Sequence, residues 1–416
     1  MDRTTGLVFA AKAARTFCYG FLGVLFPIHL AALGLGAEGI GLTITLTLAG
    51  SAAMTVAVRR PAERLGSRAV LMGLAALIVV SGALFALARH PALVIAAAVI
   101  GNIAVSVGET GPFLSVEQVL VARAASSSRL TLTMSLYNLV GYGAAALGAL
   151  TVALAARADG SGLGGVPYRP LFWLFATSGI IQVALYARLE PGRNGAAAAA
   201  RGPLPSRGLI YRLAALFALD ALAGGFVVQS LIAYWFFVHF GLTLGALGGI
   251  FFGTNVLTAL SFLVAARAAA RLGLVNTMVF SHLISNGLLI AMAFAPTATL
   301  AVGLLLARHL LSQMDVPTRQ AFLMSVVEDR EREAAATVTN ATRTVAQSIS
   351  PALTGFVMQA VHVSAPFVLG GALKIVYDLL LYAAVRGVKP RTEGGVSAAE
   401  SPGGSGADLS GRGRGG

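Results

Sequence analysis

Apolar runs of about 20 residues recur from near the N-terminus to Arg386, separated by short segments carrying Gly, Pro and Arg. In lipid, backbone N–H and C=O groups must be satisfied within the chain, and about 20 apolar residues in a helix cross the hydrocarbon core. Runs of that length, repeated along the chain, imply an all-α polytopic membrane protein. Mean hydropathy of +0.80, with 56% hydrophobic and 11% charged residues, excludes an ordinary soluble domain.

Twelve transmembrane helices are expected, at roughly 8–33, 39–58, 69–88, 92–120, 130–156, 168–188, 209–238, 243–265, 274–294, 298–325, 335–359 and 364–386. They fall into a six-helix bundle over 1–189 and another over 209–386. Residues 190–208 (EPGRNGAAAAARGPLPSRG) read as a cytoplasmic linker, and 387–416, rich in Gly and Ser, as a disordered cytoplasmic tail. The net charge of +13 is spread over short inter-helix segments, so it reads as a topology signal rather than a nucleic-acid surface. With the N-terminus inside, the outer loops hold only Arg89, Arg157 and Arg169, which places both termini in the cytoplasm. Trp173 and the Tyr234–Trp235 pair then fall at the outer boundary, as an aromatic belt would. The first apolar run reads as a membrane helix, not a cleavable signal. Cys18 is the single cysteine, so neither an internal disulfide nor a cysteine metal cluster is expected.

One run carries charge. Thr297–Phe322 reads TATLAVGLLLARHLLSQMDVPTRQAF, and Arg308, Ser312, Asp315 and Arg319, in steps of 4, 3 and 4, share one helical face. An ionisable group at mid-membrane costs about 2.5–3.5 kcal/mol, so such a stripe faces water or pairs across a cavity. Pro317 loosens the helix beside Asp315. At an offset of 206, Asn102, Ser106, Glu109 and Phe113 occupy the matching positions, with Pro112 following. The halves repeat more widely. Gly34–Gly73 laid on Gly241–Phe280 at an offset of 207 gives ten identities in forty, including Arg60, Arg64, Leu65 and Gly66 on Arg267, Arg271, Leu272 and Gly273. Six plus six spans related by a parallel repeat is a transporter architecture.

With these features the sequence resembles the major facilitator superfamily, in an uncharacterised bacterial branch, over about residues 8–386. The family carries Gly-x-x-x-Asp-Arg-x-Gly-Arg-Arg between spans two and three. Here Glu63, Arg64, Gly66 and Arg68 fit, while Arg59 replaces the first Gly and Glu replaces Asp. The second half keeps Arg271 and Gly273 but has Ala270 at the acid. The resemblance implies a charged cytoplasmic latch made by Glu63, Arg64, Gly66, Arg68 and Arg271; ordinary inside-positive loop charge is the other reading. Arg308, in Leu304-x-x-x-Arg308, resembles the membrane arginine that proton-coupled members carry in span four. Span five reads Asn138-Leu-Val-Gly141-Tyr-Gly143 without a Gly-Pro pair, so the drug-antiporter signature is absent.

The resemblance also implies that spans one, four, seven and ten line a central cavity. Arg15, Glu109, Asp220, Arg308 and Asp315 lie mid-span on those four, with Arg319 nearer the inner boundary. Glu109 and Asp315 are expected to form a protonatable pair, a static Arg–Asp clamp being the alternative for Asp315. Arg308 and Arg319 are expected either to bind an anionic substrate or to balance Asp315. Asp220 either holds a cation or pairs with Arg15. Asn102 belongs to the matched stripe, and Asn138, Asn340, Arg343 and Gln347 add polar points on spans five and eleven. Lys374 and Asp378, four apart on span twelve, read as a local ion pair. Gly241, Gly245, Gly249 and Gly253 read as a close-packing face on span eight, and His309 as a packing residue. Gly160-Ser-Gly162-Leu-Gly164-Gly165 matches a dinucleotide fingerprint but follows no strand.

The expected function is secondary active transport of a small molecule by alternating access, coupled to protons. The protein would be a monomer in a bacterial inner membrane, with no cofactor, metal or nucleic acid. The alternatives are a facilitator for a small organic anion and a membrane sensor that kept the fold without transport. No nucleophile–base pair, metal constellation or ATP-binding motif supports an enzyme or a pump.

Overall fold

The computed structural model describes residues 2–103, 111–124, 130–158, 168–190, 206–311, 313–328 and 331–385. Among them all regular structure is helical. The chain runs α1 (Arg3–Ala32), α2 (Ala37–Ala57), α3 (Arg59–Leu87), α4 (Pro91–Ile100), α5 (Pro112–Ala124), α6 (Leu130–Ala158) and α7 (Tyr168–Tyr186). Its second half runs α8 (Arg207–Gly225), α9 (Gln229–Phe240), α10 (Leu244–Leu272), α11 (Leu274–Ala293), α12 (Ala298–Leu311), α13 (Asp315–Val326), α14 (Arg332–Ala360) and α15 (Ala365–Val385). Among the described residues, eight stretches are long and apolar enough to cross a membrane, while Pro91–Ile100, Pro112–Val121 and Ala298–Leu311 are apolar but shorter. The short ones belong to runs expected as single spans. The run over 92–120 is divided into α4 and α5, and the run over 298–325 into α12 and α13. Pro112 opens α5, and Pro317 sits in the first turn of α13, where a missing N–H costs least. The linker and tail expected at 190–208 and 387–416 lie largely or wholly outside the described residues.

The repeat seen in the sequence reappears in the backbone. Gly34 and Gly241, 207 apart, end α1 and α9 with φ of 88° and 63°. Gly66 and Gly273, also 207 apart, have φ/ψ of 85°/158° and 83°/160°, a conformation open to glycine almost alone. The segment expected as a loop at 59–68 is therefore helical, jointed at Gly66, just as α10 and α11 are jointed at Gly273.

Within the first half α1 packs on α6 and α7, and α3 on α7; within the second, α8 packs on α14 and α15, and α11 on α12 and α15. The halves meet along α2–α14, α6–α10 and α1–α9. Helix approach there is close because the contact residues are small. A Cβ on Gly41 would collide with the Pro351 carbonyl, and one on Gly355 with the Ala37 carbonyl. Hydrogen bonds that join the halves include Ala352 N–H to Thr45 Oγ1, Glu38 N–H to Gln359 Oε1, and Ser230 Oγ to the Gly23 carbonyl. All three lie toward the end of the molecule that carries the α1–α2 turn.

Two packing expectations change. Gly241 caps α9 and is not part of α10, and Gly249 meets nothing; Gly245 and Gly248 instead pack on Ala156 and Ala149 of α6. Trp235, expected with Tyr234 in an aromatic belt, is buried. Its ring is enclosed by Phe236, His239, Phe240 and Phe367, and its indole N–H bonds Ser364 Oγ at 3.0 Å. Trp173 is exposed, as a belt residue would be.

Candidate functional site

Each half encloses a polar network. In the first half α5 restarts at Pro112, which sets Phe113 and Glu117 four residues apart on one face toward α1. Arg15 of α1 and Glu117 are both 0% exposed. The guanidinium grips the carboxylate at two points, Nη1 to Oε1 at 3.1 Å and Nη2 to Oε2 at 2.7 Å. Its face lies 4.2 Å from the Phe113 ring centroid. Two residues of α7 complete the site: Arg15 Nη1 donates to Gln182 Oε1 at 3.3 Å and to Tyr186 OH at 3.0 Å. The hydroxyls of Tyr186 and Tyr137 in turn donate to Glu117. Fork-to-fork geometry and added donors are what a buried ion pair needs to offset its desolvation.

In the second half the centre is Asp220 on α8. Lys374 Nζ of α15 donates to its Oδ1 at 2.7 Å. Arg343 Nη1 of α14 and Arg319 Nη1 of α13 donate to its Oδ2 at 2.8 and 3.2 Å. Arg319 Nη1 also donates to Asp315 Oδ2, one turn earlier on α13, at 2.6 Å. On the far side Lys374 Nζ stands 3.3 Å from His282 Nε2 of α11. His282 Nδ1 is 2.8 Å from Asp378 Oδ1, and Asn286 Nδ2 donates to Asp378 Oδ2 at 2.9 Å. The two networks use corresponding elements with charge inverted. Arg15 on α1 meets Glu117 on α5, whereas Asp220 on α8 meets Arg319 on α13.

These distances revise several expectations. Arg15 does not pair with Asp220, because each is satisfied inside its own half. Lys374 and Asp378 are not a local ion pair. Both side chains point into the bundle, where His282 inserts between them and the Asp220 carboxylate takes the ammonium. Arg319 is committed to Asp220 and Asp315, so it is not free for an anion. Asn138 and Asn340 are exposed. Arg64 and Arg271 are exposed and Arg68 is half-buried, while the side chain of Glu63 lies outside the described residues. Glu109, Ser106 and Ser312 lie outside them as well.

Arg308 stands apart. It is 8% exposed, in the last turn of α12 beside the break. Its Nε has no hydrogen-bond partner, and among the described residues its guanidinium makes no ion pair. Its repeat mate Asn102, 6% exposed and at φ 47°, also holds a buried unpartnered atom, Oδ1, while its carbonyl accepts from Tyr19 OH at 2.9 Å. His309 bonds the Leu305 carbonyl of its own helix.

Glu117, Tyr137, Gln182, Tyr186, His282 and Asn286 were not expected from the sequence. A signal existed for some of them: Phe113 and Glu117, like His282 and Asn286, are i, i+4 pairs inside apolar runs. The arrangement can hold charge deep in the bundle and exchange partners around Asp220, and it leaves the Nε of one buried guanidinium without a hydrogen-bond partner among the described residues.

Residues 8–312 match the profile of the Major Facilitator Superfamily. An uncharacterised membrane protein of Saccharomyces cerevisiae is 25% identical over 428 residues, spanning 93% of this chain and 95% of its own. A D-xylose-proton symporter superposes with a TM-score of 0.73 at 14% identity, over 94% of this chain and 98% of its own. The nucleoside transporter NupG gives 0.69 at 14%, over 92% and 99%. The human organic anion transporter MFSD10 gives 0.64 at 17%, over 91% and 99%. Such identities speak to fold alone, but the profile match covers well over half of this all-helical, internally repeated sequence, and the chain belongs to the Major Facilitator Superfamily.

Proposed function

We propose that the protein carries a small organic anion across its membrane by alternating access, with proton movement through the second-half network supplying the coupling. The observation that carries the substrate class is Arg308. In the second half Lys374, Arg319 and Arg343 all bind Asp220, whereas Arg308 is buried without an ion pair among the described residues. A buried guanidinium with an unmade hydrogen bond is costly, and a carboxylate or phosphate on a substrate would offset that cost through charge-assisted hydrogen bonds. Asn102, its repeat mate in the first half, likewise holds a buried acceptor, Oδ1, without a partner among the described residues.

The test is uptake into proteoliposomes of a panel of organic acids, phosphate esters and neutral analogues, with and without a pH gradient. Uptake of an acid that rises with the gradient is expected, with Arg308→Gln reducing it about tenfold to a hundredfold, the worth of one or two hydrogen bonds to a charged group. Wild-type uptake by Arg308→Gln, or passage of neutral solutes alone, would overturn the reading. A gradient-independent facilitator is the second reading. It is favoured by the 2.6 Å bond that clamps Asp315 to Arg319, and flux indifferent to the gradient would select it.

A further inference from the structure

We propose that His282 is the residue that takes up the coupling proton, and that it does so by exchanging places with Lys374 at Oδ1 of Asp220. This rests on the proton-coupled reading above but gives the proton to a residue the sequence did not mark.

His282 sits between a carboxylate and an ammonium. Lys374 has only protons to give, so His282 Nε2, 3.3 Å from Nζ, accepts. The remaining proton is then on Nδ1, donated to Asp378 Oδ1 at 2.8 Å. The partners thus select one neutral tautomer, and Asn286 holds Asp378 in place from one turn further along α11. From α15 the imidazole faces Lys374, Asp378 and the Tyr377 ring, whose centroid is 6.1 Å away. From α8 it faces Asp220, whose Oδ1 is 4.0 Å from Nε2. Arg319 of α13 and Arg343 of α14 meet it through Asp220, and Asp315 through Arg319. α10 carries Arg267 and Arg271, both exposed, and α12 carries Arg308 and His309.

Charge counting shows what a proton would do. Asp220, Asp315 and Asp378 balance Lys374, Arg319 and Arg343 only while the imidazole is neutral. A solvent proton added to the Nε2 lone pair breaks no covalent bond, but it turns an acceptor into a donor facing another donor. Imidazolium and ammonium then compete for one oxygen. The imidazolium keeps its hold on Asp378 and needs to close only the 4.0 Å gap to Asp220 Oδ1. Lys374 already lies against Gly224, its Nζ 3.6 Å from where a Cβ would stand, beside the carbonyl end of α8. A helix C-terminus attracts a cation, so the displaced ammonium has somewhere to go. Proton uptake would therefore move the α8–α15 tie from Asp220 to the break between α8 and α9.

The experiment uses full-length protein in nanodiscs with 15N-labelled histidine, the His282 signals being assigned by their loss in His282→Gln. It needs no substrate, so it can fail while transport of an organic anion stands, and the reverse. Wild type is expected to show the neutral Nδ1–H form at alkaline pH and conversion to the doubly protonated form between about pH 5 and 8. Lys374→Met, which removes the competing ammonium, should change the pH at which conversion finishes. A His282 signal that stays neutral, or stays doubly protonated, across that range in wild type overturns the proposal. So does a Lys374→Met transition that coincides with wild type.

Discussion

Arg15 and Glu117, 102 positions apart in sequence, meet through two parallel hydrogen bonds of 3.1 and 2.7 Å at the centre of the first half, with no exposed surface on either. Removing one partner strands a buried charge, and such changes cost about 3–5 kcal/mol, whereas replacing both by apolar groups of similar volume can be nearly neutral. Arg15→Met and Glu117→Leu should each lower the thermal unfolding temperature in detergent sharply, and the double variant should recover much of the loss. If the double variant is as unstable as the worse single one, the pair is not acting as a unit. Fluorescence suits the measurement, because Trp173 is exposed and Trp235 buried.

That pair also marks how far the sequence can be read. Apolar run lengths locate nearly every helix, because a helix in lipid must be about as long as the hydrocarbon is thick. The repeat at offset 207 anticipates the Gly34/Gly241 and Gly66/Gly273 backbone positions, and Pro112 and Pro317 mark the restarts of α5 and α13. Partners are harder. The i, i+4 spacing puts Glu117 on one face with Phe113 but does not say that Arg15 is what it meets, since that depends on how α1 and α5 cross. The repeat drew attention to Glu109, while the buried acid of α5 has no counterpart in α13, where Leu323 stands at the matching position. Lys374 and Asp378 have the spacing of a helical ion pair, but a helix neighbour, His282, supplies better-placed partners to both. His282 and Asn286 escaped notice because a search for formal charge passes over a neutral imidazole and an amide.

The Asp220–Lys374 contact gives a second prediction. Asp220→Asn leaves Lys374, Arg319 and Arg343 facing only Asp315 and Asp378, while Lys374→Met leaves an acid in excess. Each single variant should abolish gradient-driven uptake. Asp220→Asn combined with Lys374→Met restores the balance of charge and should recover folding but not coupling. In a double-mutant cycle on unfolding, directly bonded groups show an interaction of about 0.5–3 kcal/mol. Strict additivity would mean that the 2.7 Å bond contributes nothing in the membrane.

The α2–α14 seam gives the third. Gly41 faces Pro351 and Gly355, and Gly355 faces Ala37, with no room for a side chain on either. Alternating access requires this end to part while the other closes. Gly355→Val should wedge the seam and shift the population toward the state in which these helices are apart, because a branched side chain at a backbone contact cannot be absorbed by rotamer change. Leu65 and Leu272, repeat mates exposed at the opposite end, are suitable label sites, and the single native cysteine, Cys18, is buried and replaceable by Ser. With spin labels at Leu65→Cys and Leu272→Cys, Gly355→Val should move the distance distribution to shorter values, and Gly41→Val should do the same. A distribution unchanged by either substitution, in protein that still folds, would mean that the seam does not control which end is open.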